Sequence, residues 1–257
     1  MCCVAPSDFS SGKATCRASN DCAQSTAPLP YYPPTIDYSK SQSPISQCVN
    51  ANDWAMTFDD GPSTNIPSVL QILKSKGAIG TFFVNGHNYA DLVNSPTSIQ
   101  YLRDIDSAGH QIGTHTFEHV DLTTQSIQGI WDQMRLNDEA IRNILGKRPI
   151  HFRLPYLSTN DQVNAAIGSW GYRIVGVNVD TNDWRYSTLG LGDAFTATQQ
   201  SYYAALSLNP SSAISLDHDF TNQITTWLPW MIDDIRARGF NLVTARQCLG
   251  DPSAYRP

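Results

Sequence analysis

The sequence predicts an α/β fold, a distorted (β/α) barrel with about seven parallel strands. Three observations point there. Short apolar runs alternate with helical patterns from Cys48 onward. Five helical segments end on a glycine just before the next apolar run. The clusters of reactive side chains fall directly after the apolar runs. A barrel of βα units has this sequence form and carries its chemistry at the C-terminal strand ends.

Each element has its own signal. The expected strands are Trp54–Thr57, Thr81–Val84, Gln111–Gly113, His151–Arg153, Arg173–Val179, Ala213–Leu216 and Asn241–Val243. Between them lie helical patterns. Ser68–Lys76 stops at Gly77, Thr97–Ala108 at Gly109, Gln125–Leu145 at Gly146, Asp161–Trp170 at Gly171, and Gln223–Arg238 at Gly239. Glycine tolerates the left-handed conformation that commonly closes a helix. At 257 residues the chain can bury one large core. Residues 1–47, rich in Ser, Pro, Ala and Cys, read as an extension or small appendage. Within them Ala27–Pro34 has the composition of a stiff, extended linker. The main domain is expected over 48–250, followed by a short tail over 251–257.

Composition narrows the function. Apolar residues make up 41% and charged ones 16%, an ordinary globular balance. A net charge of −6 argues against nucleic acid, which demands Lys and Arg for its phosphates. No apolar run is long enough to span a bilayer. Met1 is followed at once by Cys2 and Cys3, so the start reads as a mature boundary with an added Met, not as a secretory leader. The six cysteines contain no C-x-x-C spacing. Disulfides in an oxidising compartment are the better reading. Cys48 and Cys248 read as a staple across the main domain, with Cys2, Cys3, Cys16 and Cys22 forming two local bridges of undecided pairing.

Five clusters carry the chemistry. Thr57-Phe58-Asp59-Asp60-Gly61-Pro62 ends the first strand in a tight turn, which can bring both carboxylates to one pocket. His115-Thr116-Phe117-Glu118-His119 follows the third strand; as a helical turn, its i, i+4 spacing puts both imidazoles on one face. Two imidazoles and a carboxylate make a zinc site with a position open to water. Arg153-Leu154-Pro155-Tyr156 offers a rigid guanidinium for Asp59, and the Tyr156 N–H for a developing oxyanion. Asp180-Thr181-Asn182-Asp183-Trp184 and Leu216-Asp217-His218-Asp219 each follow an apolar run. A carboxylate beside His218 would keep it protonated as a proton donor. Trp184 and Leu216 could wall a small methyl group. Alone, each cluster also reads as surface turns and surface histidines. His110 and His151 are expected to be structural, and Trp131, Trp170, Trp227 and Trp230 to be packing residues.

Together and in this order, the five clusters resemble the signature motifs of the polysaccharide deacetylases, carbohydrate esterase family 4 with its NodB-homology domain. The resemblance covers about Cys48 to Cys248. Thr81-Phe82-Phe83-Val84-Asn85-Gly86 and the terminal cysteine pair look similar to fungal chitin deacetylases. It implies that Asp59 is the general base, that Arg153 positions it, and that Asp60, His115 and His119 hold one divalent metal, first Zn²⁺ with Co²⁺ or another ion as alternatives. It further implies that Asp183 tunes His218 as general acid, that Tyr156 supplies the oxyanion N–H, and that Trp184 and Leu216 line the acetyl pocket. The implied reaction removes N-acetyl groups from chitin or chitooligosaccharides, leaving acetate and glucosamine units. The expected protein is a secreted or cell-wall monomer. Acetylxylan or peptidoglycan as substrate, and a non-catalytic carbohydrate-binding relative, are the competing readings.

Overall fold

The computed structural model describes residues 29–256. The four cysteines at 2, 3, 16 and 22 lie outside them. β1 (Asp53–Asp59) runs through the centre with all seven residues buried. Burial on both faces is what a parallel strand covered by helices requires. Trp54, Met56 and Phe58 face outward, into a core shared with Val69, Leu73, Trp227 and Met231. Ala55 faces inward and packs with Phe83, Val175 and Ile214.

The remaining strands are β2 (Thr81–Val84), β3 (Gln111–Thr114), β4 (His151–Phe152), β5 (Arg173–Ile174), β6 (Val179–Asp180), β7 (Ala213–His218) and β8 (Asn241–Val243). All pairings are parallel. The order is β5-β4-β3-β2-β1-β7-β6, with β8 joined to the first half of β1.

The expected single strand Arg173–Val179 is in fact two. β5 and β6 sit on opposite edges of the sheet, separated in sequence only by Val175–Asn178. A chain covers at most about 3.6 Å per residue, so the two edges stand within about 18 Å. That tether forces the sheet to curl into an open barrel. The break is hidden in the sequence because Val175 and Gly176 are as buried as the strand residues around them.

Arg153 fills the gap. Its Nε donates to the Val175 carbonyl at 2.7 Å, and its Nη2 to the Gly176 carbonyl and Thr57 Oγ1, both at 3.1 Å. Its Nη1 reaches both oxygens of Asp59, at 3.3 and 3.1 Å. The guanidinium carbon lies 4.7 Å from the centre of the Phe83 ring. One side chain thus satisfies carbonyls that no neighbouring strand covers, as buried backbone groups demand.

Helices α1 (Ile66–Ser75), α2 (Pro96–Ser107), α3 (Ile127–Leu145), α4 (Asp161–Ser169) and α7 (Ile224–Ala237) match the expected five. The five glycines that follow them all take positive φ. Two one-turn helices, α5 (Asp183–Tyr186) and α8 (Ala245–Cys248), also appear. α6 (Leu191–Leu206) was not anticipated. Its core residues Ala194, Thr198, Tyr202 and Leu206 recur every four positions. It has no side-chain cap at Gly190 and no glycine at its end, so the start and stop signals are missing.

Residues 29–47 pack on the domain, the wrapping arrangement the sequence left open beside an appendage. The indole N–H groups of Trp131 and Trp170 donate to the carbonyls of Pro30 and Pro34. Ile45 bridges Val175 in parallel, next to the barrel gap. Cys48 and Cys248 are disulfide-bonded across 200 residues. Closing a loop of that length contributes about 5 kcal/mol in the chain-entropy model. No described helix is long and apolar enough to cross a membrane.

Arg153→Met leaves the Asp59 carboxylate and two carbonyls without their partner. Breaking such a buried pair from one side costs about 3–5 kcal/mol. Urea unfolding should show a loss of that size. Arg153→Lys should recover only part of it, because an ammonium cannot reproduce the planar fork.

Candidate active site

The reactive residues gather at the C-terminal ends of the strands. Asp59 closes β1 and lies in register with His218, the last residue of β7. His115 follows β3 and Arg153 follows β4. Asp183 opens α5, three residues past β6. Asp59, Asp60, His115, His119, Tyr156, Trp184, Leu216 and His218 all line one open cavity of about 550 Å³. Arg153 and Asp183 lie just behind its wall, fully buried.

The turn after β1 separates the two carboxylates. Asp59 turns to Arg153, while Asp60, at φ 73, swings toward the imidazoles. Gly61 is required here by close approach. A Cβ on it would lie 2.1 Å from Asp219 Oδ2, the oxygen that accepts the Ser63 N–H.

The segment 115–119 is not a helical turn. Thr116 and His119 have φ of 71 and 54. A β-branched residue in the left-handed region is a true outlier, costing on the order of 1–3 kcal/mol. The imidazoles therefore converge through a strained loop instead of through helical spacing. His115 is oriented by its Nδ1, 2.8 Å from the Arg153 carbonyl. That leaves Nε2 facing the cavity.

Asp60 Oδ1 lies 3.2 Å from His115 Nε2 and 3.1 Å from His119 Nε2. This oxygen is buried and takes no hydrogen bond. The three side chains offer ligand atoms within 4.8 Å of one another. One carboxylate and two imidazoles fit a borderline divalent cation such as Zn²⁺, and the backbone bond on Nδ1 is the usual orienting contact behind a ligating imidazole. Burial pushes the Asp60 carboxyl up, but the two imidazoles outweigh it and hold it well below the ordinary range.

A second carboxylate–imidazole pair is set apart. His218 Nδ1 lies 2.7 Å from Asp183 Oδ1. Asp183 also accepts the backbone N–H groups of Trp184 and His218, at 2.9 and 2.8 Å, and the Thr221 hydroxyl at 3.3 Å. Burial disfavours the charged His218 ring, but Asp183, with help from Asp60 and Asp59, overcomes it and raises the pKa to about 10. His218 Nε2 points to the cavity, 3.9 Å from Asp60 Oδ2.

Trp184 is 47% exposed and Tyr156 66% exposed, while Leu216 is buried, so the wall is apolar below and open above. Tyr156 sits in a turn at φ 57, its ring edge-on to His119 with centroids 4.5 Å apart. Sequence reasoning missed several lining residues. Tyr89 and Phe220 stack at 4.0 Å on the cavity rim. Their position past the ends of β2 and β7 was the available signal. Asp180, named in the fourth cluster without a role, lines the cavity from the end of β6. His110 and His151 stand at the opposite strand ends. His110 Nδ1 takes the Gly80 N–H, and His151 bonds Gln111 and Asp251. Trp131, Trp170 and Trp227 are core residues and Trp230 packs against Trp227.

The family model described as polysaccharide deacetylase matches residues 46–175. A chitin deacetylase from Pestalotiopsis sp is 37% identical over 211 residues, covering 82% of this chain and 68% of that protein. A chitin deacetylase from Colletotrichum lindemuthianum is 36% identical over 212 residues, 81% of this chain and 84% of the relative. The solved structure of the chitin deacetylase from that fungus superposes with a TM-score of 0.78 at 35% identity, over 83% of this chain and 95% of the other. With its curled parallel barrel and its reactive residues at the strand ends, the chain belongs to the polysaccharide deacetylase family.

Proposed function

We propose that this chain hydrolyses N-acetyl groups of chitin or chitooligosaccharides, releasing acetate and leaving glucosamine units. The observation that carries the reading is the pairing pattern in one cavity. Asp59 is held by Arg153, Asp60 faces two imidazoles, and His218 is bonded to Asp183. Three carboxylates of one type are thereby given three different tasks. The choice of chitin is supported by the chitin deacetylases among its relatives. The disulfide supports an oxidising, extracellular or cell-wall location.

Asp60, His115 and His119 are the residues to hold the divalent cation, Zn²⁺ in the first instance. When bound, such an ion supplies Lewis acidity to water and to the acetamide oxygen. Asp59 takes the proton of the attacking water. Arg153 keeps that carboxylate oriented until then. The Tyr156 N–H faces the carbonyl oxygen as it becomes an oxyanion, which preorganised donors stabilise without reorientation. Leu216 and Trp184 take the acetyl methyl. His218 donates a proton to the departing nitrogen. An amine leaves far more readily than an amide anion, so this proton decides whether the tetrahedral species collapses forward. Asp183 holds the ring and balances its charge.

Acetate release from N-acetylglucosamine oligomers, with mass spectrometry of the products, tests the reading. Chelator-sensitive acetate and products lighter by whole acetyl groups are expected. Release from acetylxylan alone would assign the machinery to an ester substrate. A pH profile tests the acid. His218 must be protonated, so its raised pKa extends activity to alkaline pH. A cation beside Asp60 cancels part of that carboxylate's pull, so the alkaline limb of the loaded enzyme lies below about 10. Asp183→Asn removes the main attraction, leaving burial to dominate. The limb of kcat should then move to lower pH and the maximum rate should fall. An unmoved limb would contradict the assignment of His218.

A further inference from the structure

The segment bearing Asp60 and the segment bearing His115 and His119 come from different strands, yet they must hold three ligand atoms in register. Both are strained, with positive φ at Asp60, Thr116 and His119. Something has to keep the two loops from relaxing independently. One residue bonds both, by its side chain to one loop and by its backbone to the other. Asn85 follows β2, between β1 and β3, and is fully buried. Its Nδ2 donates to the His115 carbonyl at 2.5 Å and to the Thr116 carbonyl at 2.9 Å. Its backbone N–H donates to the Gly61 carbonyl at 3.1 Å. Its Oδ1 accepts from Asn88 Nδ2 at 3.2 Å.

The amide is matched to the task. Two carbonyls from consecutive residues point the same way only because Thr116 is left-handed, and one NH₂ group can serve both. A carboxylate or an aliphatic side chain of the same size has no donors to offer. The next residue, Gly86, leaves no space either, since a Cβ there would lie 2.1 Å from the Phe117 ring. Asn137, on α3, makes a useful contrast. It is equally buried and donates to the Val84 carbonyl and to Thr114 Oγ1, both at 2.8 Å. It ties the ends of β2 and β3 one step earlier, and its hydrogen bonds among the described residues reach neither ligand-bearing loop.

We propose that Asn85 is a positioning residue for the metal centre. It locks the loop after β3 to the turn after β1 and so sets the spacing between Asp60 and the two imidazoles. This rests on the reading of Asp60, His115 and His119 as the metal ligands. Groups that orient ligands from behind typically change metal affinity by about 10- to 100-fold when removed.

The test is the Zn²⁺ dissociation constant, measured by competition with a fluorescent chelator, beside thermal unfolding of the metal-free chain. The variants are Asn85→Ala, Asn85→Ser and Asn137→Ala, with Asp60→Ala as a control. Asn85→Ala should weaken Zn²⁺ binding by about 10- to 100-fold. Asn85→Ser, which keeps one hydroxyl donor, should fall between it and the native chain. Asn137→Ala should lower the unfolding temperature while its Zn²⁺ affinity stays within about threefold of native, the contrast expected when only one of two buried amides backs the ligands. Co²⁺-loaded Asn85→Ser should also show a changed visible absorption band, which a purely structural role would leave alone. Native Zn²⁺ affinity in both Asn85 variants would overturn the proposal, whatever their stability. So would failure of Asn85→Ser to fold, which would assign the residue to the fold as a whole. If the native chain and Asp60→Ala bind Zn²⁺ equally, the ligand reading itself fails, a result distinct from the other two.

Discussion

The structure depends on a buried guanidinium. Arg153 sits where the barrel does not close, and its fork joins the backbone of the gap to the carboxylate at the end of β1. A cation in that position would be intolerable without compensation, and Asp59 provides it by direct bonds, with Asp180 adding to the attraction. The consequence runs outward. With Asp59 bonded to Arg153 and held 3.8 Å from His115 Nε2, Asp60 is the carboxylate that approaches both His115 and His119 closely. The Arg153 carbonyl then fixes which nitrogen of His115 faces the cavity. One residue thereby connects the shape of the barrel, the orientation of the Asp59 carboxylate and the tautomer of an imidazole.

Electrostatics divides the remaining labour. Two carboxylate–imidazole groupings lie within a few ångströms of each other, and their surroundings push them to different ends. Around Asp60 two imidazoles share one carboxylate, an arrangement that a divalent cation completes. Around His218 one imidazole has a carboxylate to itself, secured by three further donors, and the ring is held as an acid. Pairs of titratable groups driven apart by their environments are the usual mark of divided acid and base roles. Asp217 and Asp219 flank His218, and burial raises both to about 7.

Much of this was legible in the sequence, for identifiable reasons. Helices ending on Gly77, Gly109, Gly146, Gly171 and Gly239 announced themselves because a left-handed cap has few alternatives to glycine. The reactive clusters were legible because strand ends are where a parallel barrel leaves polar residues room. The failures share a cause, which is tertiary structure overriding local pattern. Arg173–Val179 reads as one strand because burial continues through the break; only the curl of the sheet divides it. The spacing of His115 and His119 suggested a helix, yet the imidazoles meet through a strained loop. α6 lacks caps, since it is held by its Tyr202 and Phe195 rings against Trp227 and Trp230. Asn85 stood in a segment singled out only by resemblance, and its bonding was hidden because nothing in a sequence marks an amide that bonds to carbonyls 30 and 31 positions away.

Central to the proposed function is a single divalent cation held by Asp60, His115 and His119 at the floor of the cavity. Crystals of the chain grown with Zn²⁺, with anomalous diffraction collected at the zinc edge, test it directly. A single peak among Asp60 Oδ1, His115 Nε2 and His119 Nε2, at ligand distances of about 2.0–2.2 Å, is the expected result. A map with no peak there, or with zinc held only elsewhere, would contradict it.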